Sequence, residues 1–167
     1  MSGGIDMSKE KVPQVSAAPS LQFLYTSRVE VETPLELGKS PYGERRIINI
    51  KGGAFSGPRL SGRVLPGGAD WQIIRYDGIT EVEARYTLET EDGALIYVSN
   101  WGLRHGPKEV MARLAAGEKV DASEYYFRTT PIFETGSPDY QWLNSLVAVA
   151  AGQRLANEVI ITVYEVT

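Results

Sequence analysis

From Leu21 onward, apolar residues recur at every second position. Leu21, Phe23, Tyr25, Val29 and Val31 alternate with Gln22, Thr26, Arg28, Glu30 and Glu32, with Leu24 and Ser27 as the exceptions. A period of two belongs to a strand with one wet face. Residues 45–51 (RRIINIK) predict a second strand, ended by Gly52-Gly53. Residues 59–65 predict a short, glycine-interrupted third, and residues 71–76 a fourth, followed by the turn dipeptide Asp77-Gly78. The alternation is clearest at 81–90, with Val82, Ala84, Tyr86 and Leu88 on one face and Glu83, Arg85, Thr87 and Glu89 on the other. Asp92-Gly93 then turns the chain into residues 94–101 as a hairpin.

One helix interrupts the pattern. Pro107 suits a first helical position, Val110, Met111, Leu114 and Ala115 share a stripe, and Gly117 supplies the C-terminal cap. Strands resume at 125–130, 143–150 and 159–166, and Ser137-Pro138 marks a turn before Tyr140. Eight or nine strands joined by glycine turns predict an all-β antiparallel barrel or sandwich. Neither a repeat nor a linker divides the chain, so residues 21–167 read as one domain. Residues 1–20, which lack apolar clustering, read as a disordered or loosely attached tail. No secretory-signal pattern and no membrane-length apolar run is present, so the expectation is a cytoplasmic protein without membrane partners.

Composition narrows the chemistry. A chain of 167 residues buries roughly 70% of its unfolded surface, enough for a core without staples. The absence of cysteine removes disulfides, thiolate nucleophiles and thiolate metal sites, and a single histidine, His105, removes multi-histidine sites. We therefore expect no metal and no cofactor. A net charge of −4 argues against nonspecific nucleic-acid binding. The glycine-rich stretch 52–68 lacks a Gly-Lys-Ser/Thr ending and a following helix, so it reads as barrel corners and bulges rather than a phosphate loop.

Five segments carry a resemblance: GERRIINIKGGAFSGPRLSGRVLPGGADW (43–71), EARYTLETEDGALIYVSNWG (83–102), YYFRTTPIFET (125–135), YQWLNSLVAVAAG (140–152) and the closing ITVYEV. Together they resemble the bacterial and fungal family called domain of unknown function 3237, or uncharacterised protein family 0311. The resemblance implies an up-and-down antiparallel β-barrel of about eight strands with one short helix. It implies no activity.

The candidate site residues follow from side-chain chemistry. Asp70-Trp71 pairs a carboxylate with an aromatic wall, or else fills the barrel end. Glu83 and Arg85 lie two apart on one strand and share a face, either as part of a lumen network or in solvent. Tyr126, Arg128 and Glu134 extend such a network, with a break expected at Pro131. Tyr97, Asn100, Trp142 and Asn144 supply walls and hydrogen bonds, or simply pack. His105 reads as a loop residue. In a catalytic reading, Glu83 or Asp70 is the acid–base group, Arg85 and Arg128 stabilise an enolate or carboxylate, Tyr126 donates a hydrogen bond, and Trp71 and Trp142 are walls.

Three functional readings stand side by side. One is an isomerase, cyclase or lyase working by proton transfer on a small cyclic or aromatic metabolite. Another is a carrier barrel for a small organic ligand, and the third a structural or interaction protein with a packed lumen. Apolar residues on an outer strand face would be covered in a homodimer.

Overall fold

Strands that each bury one face must find a partner for both edges, and here the chain does so by closing on itself. The computed structural model describes residues 13–15 and 17–167. Its strands are β1 (Leu21–Val31), β2 (Leu35–Ser40), β3 (Gly43–Ser56), β4 (Ser61–Val64), β5 (Ala69–Ile74), β6 (Thr80–Thr90) and β7 (Leu95–His105). Helix α1 (Lys108–Ala115) follows, then β8 (Tyr126–Glu134), β9 (Val147–Arg154) and β10 (Glu158–Val166). All pairings are antiparallel. The ring runs β1, β10, β9, β8, β7, β6, then β4 and β5 in line as one wall, then β3, which returns to β1. The protein is thus an eight-stranded up-and-down barrel. Strand β2 lies outside the ring as an arm on the first half of β3.

Two elements differ from the sequence pattern for identifiable reasons. β3 does not stop at Gly52-Gly53 but continues to Ser56. Gly52 and Gly53 adopt φ of 147° and 148°, and the β1–β3 register shifts beside them between Glu30 and Val31. These glycines bend the strand rather than end it. Likewise β8 runs through Pro131 without a break. The β8–β9 ladder covers only Arg128 and Thr129, so Pro131 sits where no ladder donor toward β9 is needed. β2 has no counterpart in the alternation because most of its residues are exposed. His105 ends β7 rather than lying in a loop, and its ring stacks on Tyr126 at 4.8 Å.

One end of the barrel is packed shut by Leu24, Tyr25, Phe55, Phe133 and Leu143. At the other end, α1 lays Val110 and Leu114 against the barrel. Most of the tail expected at residues 1–20 lies outside the described residues; Ser20 itself exchanges backbone hydrogen bonds with Thr167. Among the described residues, no helix is long and apolar enough to cross a membrane.

The seam that closes the ring is sterically tight. A Cβ on Gly53 would fall against the backbone carbonyl of Arg28 on β1, closer than real Cβ contacts come. Gly53→Ala should therefore destabilise the fold by about 3 kcal/mol, at the upper end of ordinary overpacking. A shift of the urea midpoint at unchanged slope would show it; an unchanged midpoint would mean that the seam yields freely.

Candidate functional site

The alternation that builds the wall also selects which side chains enter the lumen. On β6, Val82, Ala84 and Tyr86 point inward, so Glu83 and Arg85 point outward, where they pair with each other at 2.7 Å. Tyr126 and Arg128 on β8 likewise face out, alternating with buried Phe127 and Thr129, and Glu134 continues that outer face. The lumen network expected of Glu83, Arg85, Tyr126 and Arg128 is therefore not formed. Trp71 lies on the face of β5 opposite Asp70, since neighbours on a strand point opposite ways. Tyr97 stands outside, opposite Glu134. Trp142 carries Arg59 over its ring at 4.1 Å, and Asn144 clamps a loop by bonding the backbone N–H and C=O of Thr135. Of the predicted residues, only Asp70 and Asn100 line the lumen cavity.

Asp70 and Asn100 are brought together by register. Ile48, Asp70, Ala84 and Asn100 are successive cross-strand partners on β3, β5, β6 and β7, forming one rung of the inner wall. Nearer the α1 end, Arg46 pairs with Gln72, Thr80 with Arg104, and Arg104 with Phe127. Arg154, the last residue of β9, completes this collar. The cavity inside has a volume of about 70 Å³ open to the centre of a water-sized sphere, room for several waters or a small organic group. Ala84, small and inward-facing, lines this space. Its remaining walls are apolar, from Val29, Ile48, Ile50, Val82, Val159 and Ile161, and its rim includes Glu32, Pro34, Leu155 and Ala156.

The polar groups form a chain from Asp70 to the collar. Gln72 Nε2 donates to Asp70 Oδ2 at 2.6 Å, the Glu83 backbone N–H donates to Asp70 Oδ1 at 2.9 Å, and Arg46 donates to Gln72 Oε1 at 2.9 Å. Burial raises the Asp70 pKa above the ordinary carboxylate value, although these two hydrogen bonds and the charges of Arg104 and Arg46 pull the other way. Tyr86 is pushed up to about 12, chiefly by burial, and so keeps its proton at neutral pH. Arg104 is lowered to about 9, by burial first and then by Arg154 and Arg46. Among the described residues, five buried side-chain polar atoms lack hydrogen-bond partners: Tyr25 Oη, Thr129 Oγ1, Arg46 Nε, Arg104 Nε and Asn100 Oδ1, the last lying near Tyr86 without a directed bond. Each such orphan costs about 1–3 kcal/mol in a native fold. Asn100, Arg104 and Thr129 line this cavity, and Arg46 lines the adjoining one beneath α1. Among the described residues, no group of three or more Asp, Glu, His or Cys side chains is arranged to hold a metal ion.

Arg46, Gln72, Tyr86, Arg104 and Arg154 are the lumen residues that sequence reasoning passed over. The signal was present for all three arginines: Arg46 shares parity with Ile48 and Ile50, Arg104 with Ile96, Val98 and Asn100, and Arg154 with Ala148, Ala150 and Gly152.

Comparison with known proteins followed the same lines. The family model described as "Protein of unknown function (DUF3237)" matches residues 19–166. A UPF0311 protein of Rhodopseudomonas palustris is 45% identical over 150 residues, 89% of this chain and 98% of its own. The crystal structure of a conserved protein of unknown function from that organism superposes with a TM-score of 0.86 at 43% identity, covering 92% of this chain and 100% of the other. A β-barrel-like protein of Acinetobacter baumannii gives 0.81 at 44%, covering 93% and 100%. More distantly, the hydroalkoxylation enzyme phnH of Penicillium herquei is 25% identical over 130 residues, 78% of this chain and 72% of its own.

The environment of Asp70 sets a testable order of titration. Hydrogen bonds hold Asp77, Asp92 and Asp121 below the usual carboxylate range, whereas burial raises Asp70. In a carboxyl-carbon NMR titration, Asp70 should ionise after those three as pH rises. Because the folded value exceeds the unfolded one, Asp70 favours the native state at low pH. That contribution disappears as pH rises from the unfolded value through the folded one. A midpoint at or below the ordinary value of about 3.9 would contradict this account.

Proposed function

The chain belongs to the DUF3237 family, and from the chemistry of its lumen we propose that it is an acid–base catalyst, acting by proton transfer on a small cyclic or aromatic metabolite held inside the barrel. The observation that carries this reading is Asp70: a carboxyl with a raised pKa, in an apolar cavity, beside unpartnered donors. Burial brings such a group closer to the range in which it both accepts and donates a proton. Gln72 and the Glu83 amide fix its two oxygens, so the carboxyl is oriented before a ligand arrives. Tyr86, protonated at neutral pH, and Asn100 offer hydrogen bonds on the same inner wall. The arginine collar supplies positive potential where an enolate or phenolate would develop.

Addition, elimination, cyclisation and isomerisation share one proton ledger at such a site. In an addition of a hydroxyl across a carbon–carbon double bond, neutral Asp70 gives its proton to one alkene carbon. The hydroxyl oxygen bonds the other carbon, and its proton returns to the Asp70 carboxylate. One C–H and one C–O bond form, one π bond and one O–H bond break, and the acid is regenerated. The hydroalkoxylation for which the Penicillium relative is named is a reaction of this class, which supports the reading.

A panel of alkenyl phenols and β-dicarbonyl compounds incubated in deuterated water tests it. Mass spectrometry should show carbon-bound deuterium or cyclised product with at least one member. Asp70→Asn should slow that reaction by about 10²–10⁴, the usual contribution of a positioned acid–base group. Glu83→Gln, altered on the outer surface, should leave it within about threefold of the parent rate. Full activity in Asp70→Asn would overturn the assignment, and ligand binding with no turnover across the panel would favour a carrier.

A further inference from the structure

We propose that the arginine collar is a carboxylate subsite, so that the ligand of this barrel is a small aryl or alkenyl carboxylate. Its acid group would lie at Arg46, Arg104 and Arg154, and its apolar body would extend inward past Asp70. This inference rests on the reading of the lumen as the reaction site and names the substrate class that the site takes.

Charge and hydrogen bonding argue together. Arg46, Arg104 and Arg154 come from β3, β7 and β9 and face the same small space, which continues as a second cavity beneath α1. The helix offers that space Met111, Leu114 and Ala115, none of which carries charge. Arg104 and Arg46 are 3% and 9% exposed, and the Nε of each has no partner. Among the described residues, no carboxylate lies within 4 Å of Arg104 or Arg154, and Arg46 reaches one, Glu36, only at 4.0 Å. Asp70 is thus the one carboxylate of the cavity wall set against three guanidinium groups, apart from Glu32 at the rim. In a protein whose net charge is −4, this interior excess of positive charge runs against the whole. Buried arginines in this state want an anion.

The walls specify the rest of the ligand. A guanidinium edge, Nε–H beside a terminal N–H, matches the two oxygens of a planar carboxylate. Beyond the collar the cavity is aliphatic and aromatic, so the partner that satisfies both regions carries one acid group on an apolar frame. Arg104 lies over the Phe127 ring at 5.3 Å, which holds the guanidinium at the wall and leaves its edge toward the lumen.

Calorimetric titration with benzoate, phenylacetate and cinnamate, each against its carboxamide, and with phenyl phosphate, tests the class. At least one acid should bind tenfold or more tightly than its amide, and more tightly than phenyl phosphate. Arg104→Met, or Arg154→Met if the former does not fold, should abolish that preference. Asp70→Asn should bind the acid at least as tightly as the parent protein. Acids that bind no better than their amides, or a folded Arg104→Met and Arg154→Met that both keep the preference, would overturn the subsite. Stronger binding of phenyl phosphate would overturn the carboxylate assignment. The two readings fail separately: tight carboxylate binding with full turnover in Asp70→Asn removes the catalytic role and keeps the subsite. Turnover of neutral compounds that depends on Asp70, without acid preference, does the reverse.

Discussion

Closure of the sheet is the constraint from which the rest of the structure follows. Once β3 pairs with β1, every strand in the ring has a neighbour on both sides, though β8 and β9 pair over only two residues, and each wall residue has two places to go, lumen or outer face. Moving a strand by one residue would exchange every inward side chain for its neighbour. The rung Ile48–Asp70–Ala84–Asn100 and the collar beside it are therefore set jointly by the register of four strands, not by any local motif. Gly53, at the tight closing seam, stands far from Asp70 in sequence yet helps decide where Asp70 points.

A closed lumen also raises the stakes of every charge placed in it. Three arginines and one aspartate share a space with apolar walls. Burial alone raises Asp70 and lowers Arg104, while their mutual attraction works against both shifts. Hydrophobic residues of similar volume would fill such a space at lower cost to stability. Gln72 moderates the conflict by joining Arg46 to Asp70, accepting from one and donating to the other. It satisfies one side of each partner and leaves the remaining guanidinium edges facing inward. That pattern is hard to explain as packing and natural as recognition.

The barrel was legible in the sequence because alternation and glycine turns are local signals, and the segments matching a known family spanned most of the chain. The site was legible only in part. Asp70 stood out as a carboxylate beside Trp71, and Asn100 as an amide able to hydrogen-bond. Glu83, Arg85 and Arg128 stood out by chemistry, but the apolar series on their own strands already assigned the lumen to the other parity. Arg46 and Arg104 share parity with buried aliphatic residues, so reading alternation through the charged positions would have placed them inside. Arg154 likewise shares parity with buried Ala148, Ala150 and Gly152, although it ends its strand.

The order of groups along the barrel gives the site a direction. The far end is packed by Leu24, Phe55 and Phe133, so depth is measured from the end covered by α1. The collar comes first, with Arg46 one inward-facing step and Arg104 two from the rung of Asp70 and Asn100, and Tyr86 lies one step beyond Ala84. Two residues along a strand span about 7 Å, less any tilt. A ligand anchored by its acid group at Arg46 would therefore bring atoms some three to five bonds away level with Asp70. Its remaining frame would meet Tyr86, Ile50 and Ile161. Anchor, proton-transfer group and apolar pocket thus fall in sequence along one axis. On the proposed reading, an anion held at one end and a carboxyl oriented by Gln72 and the Glu83 amide would convert binding at the collar into alignment at Asp70. In the proposed reaction the arginines would act through position as much as through charge.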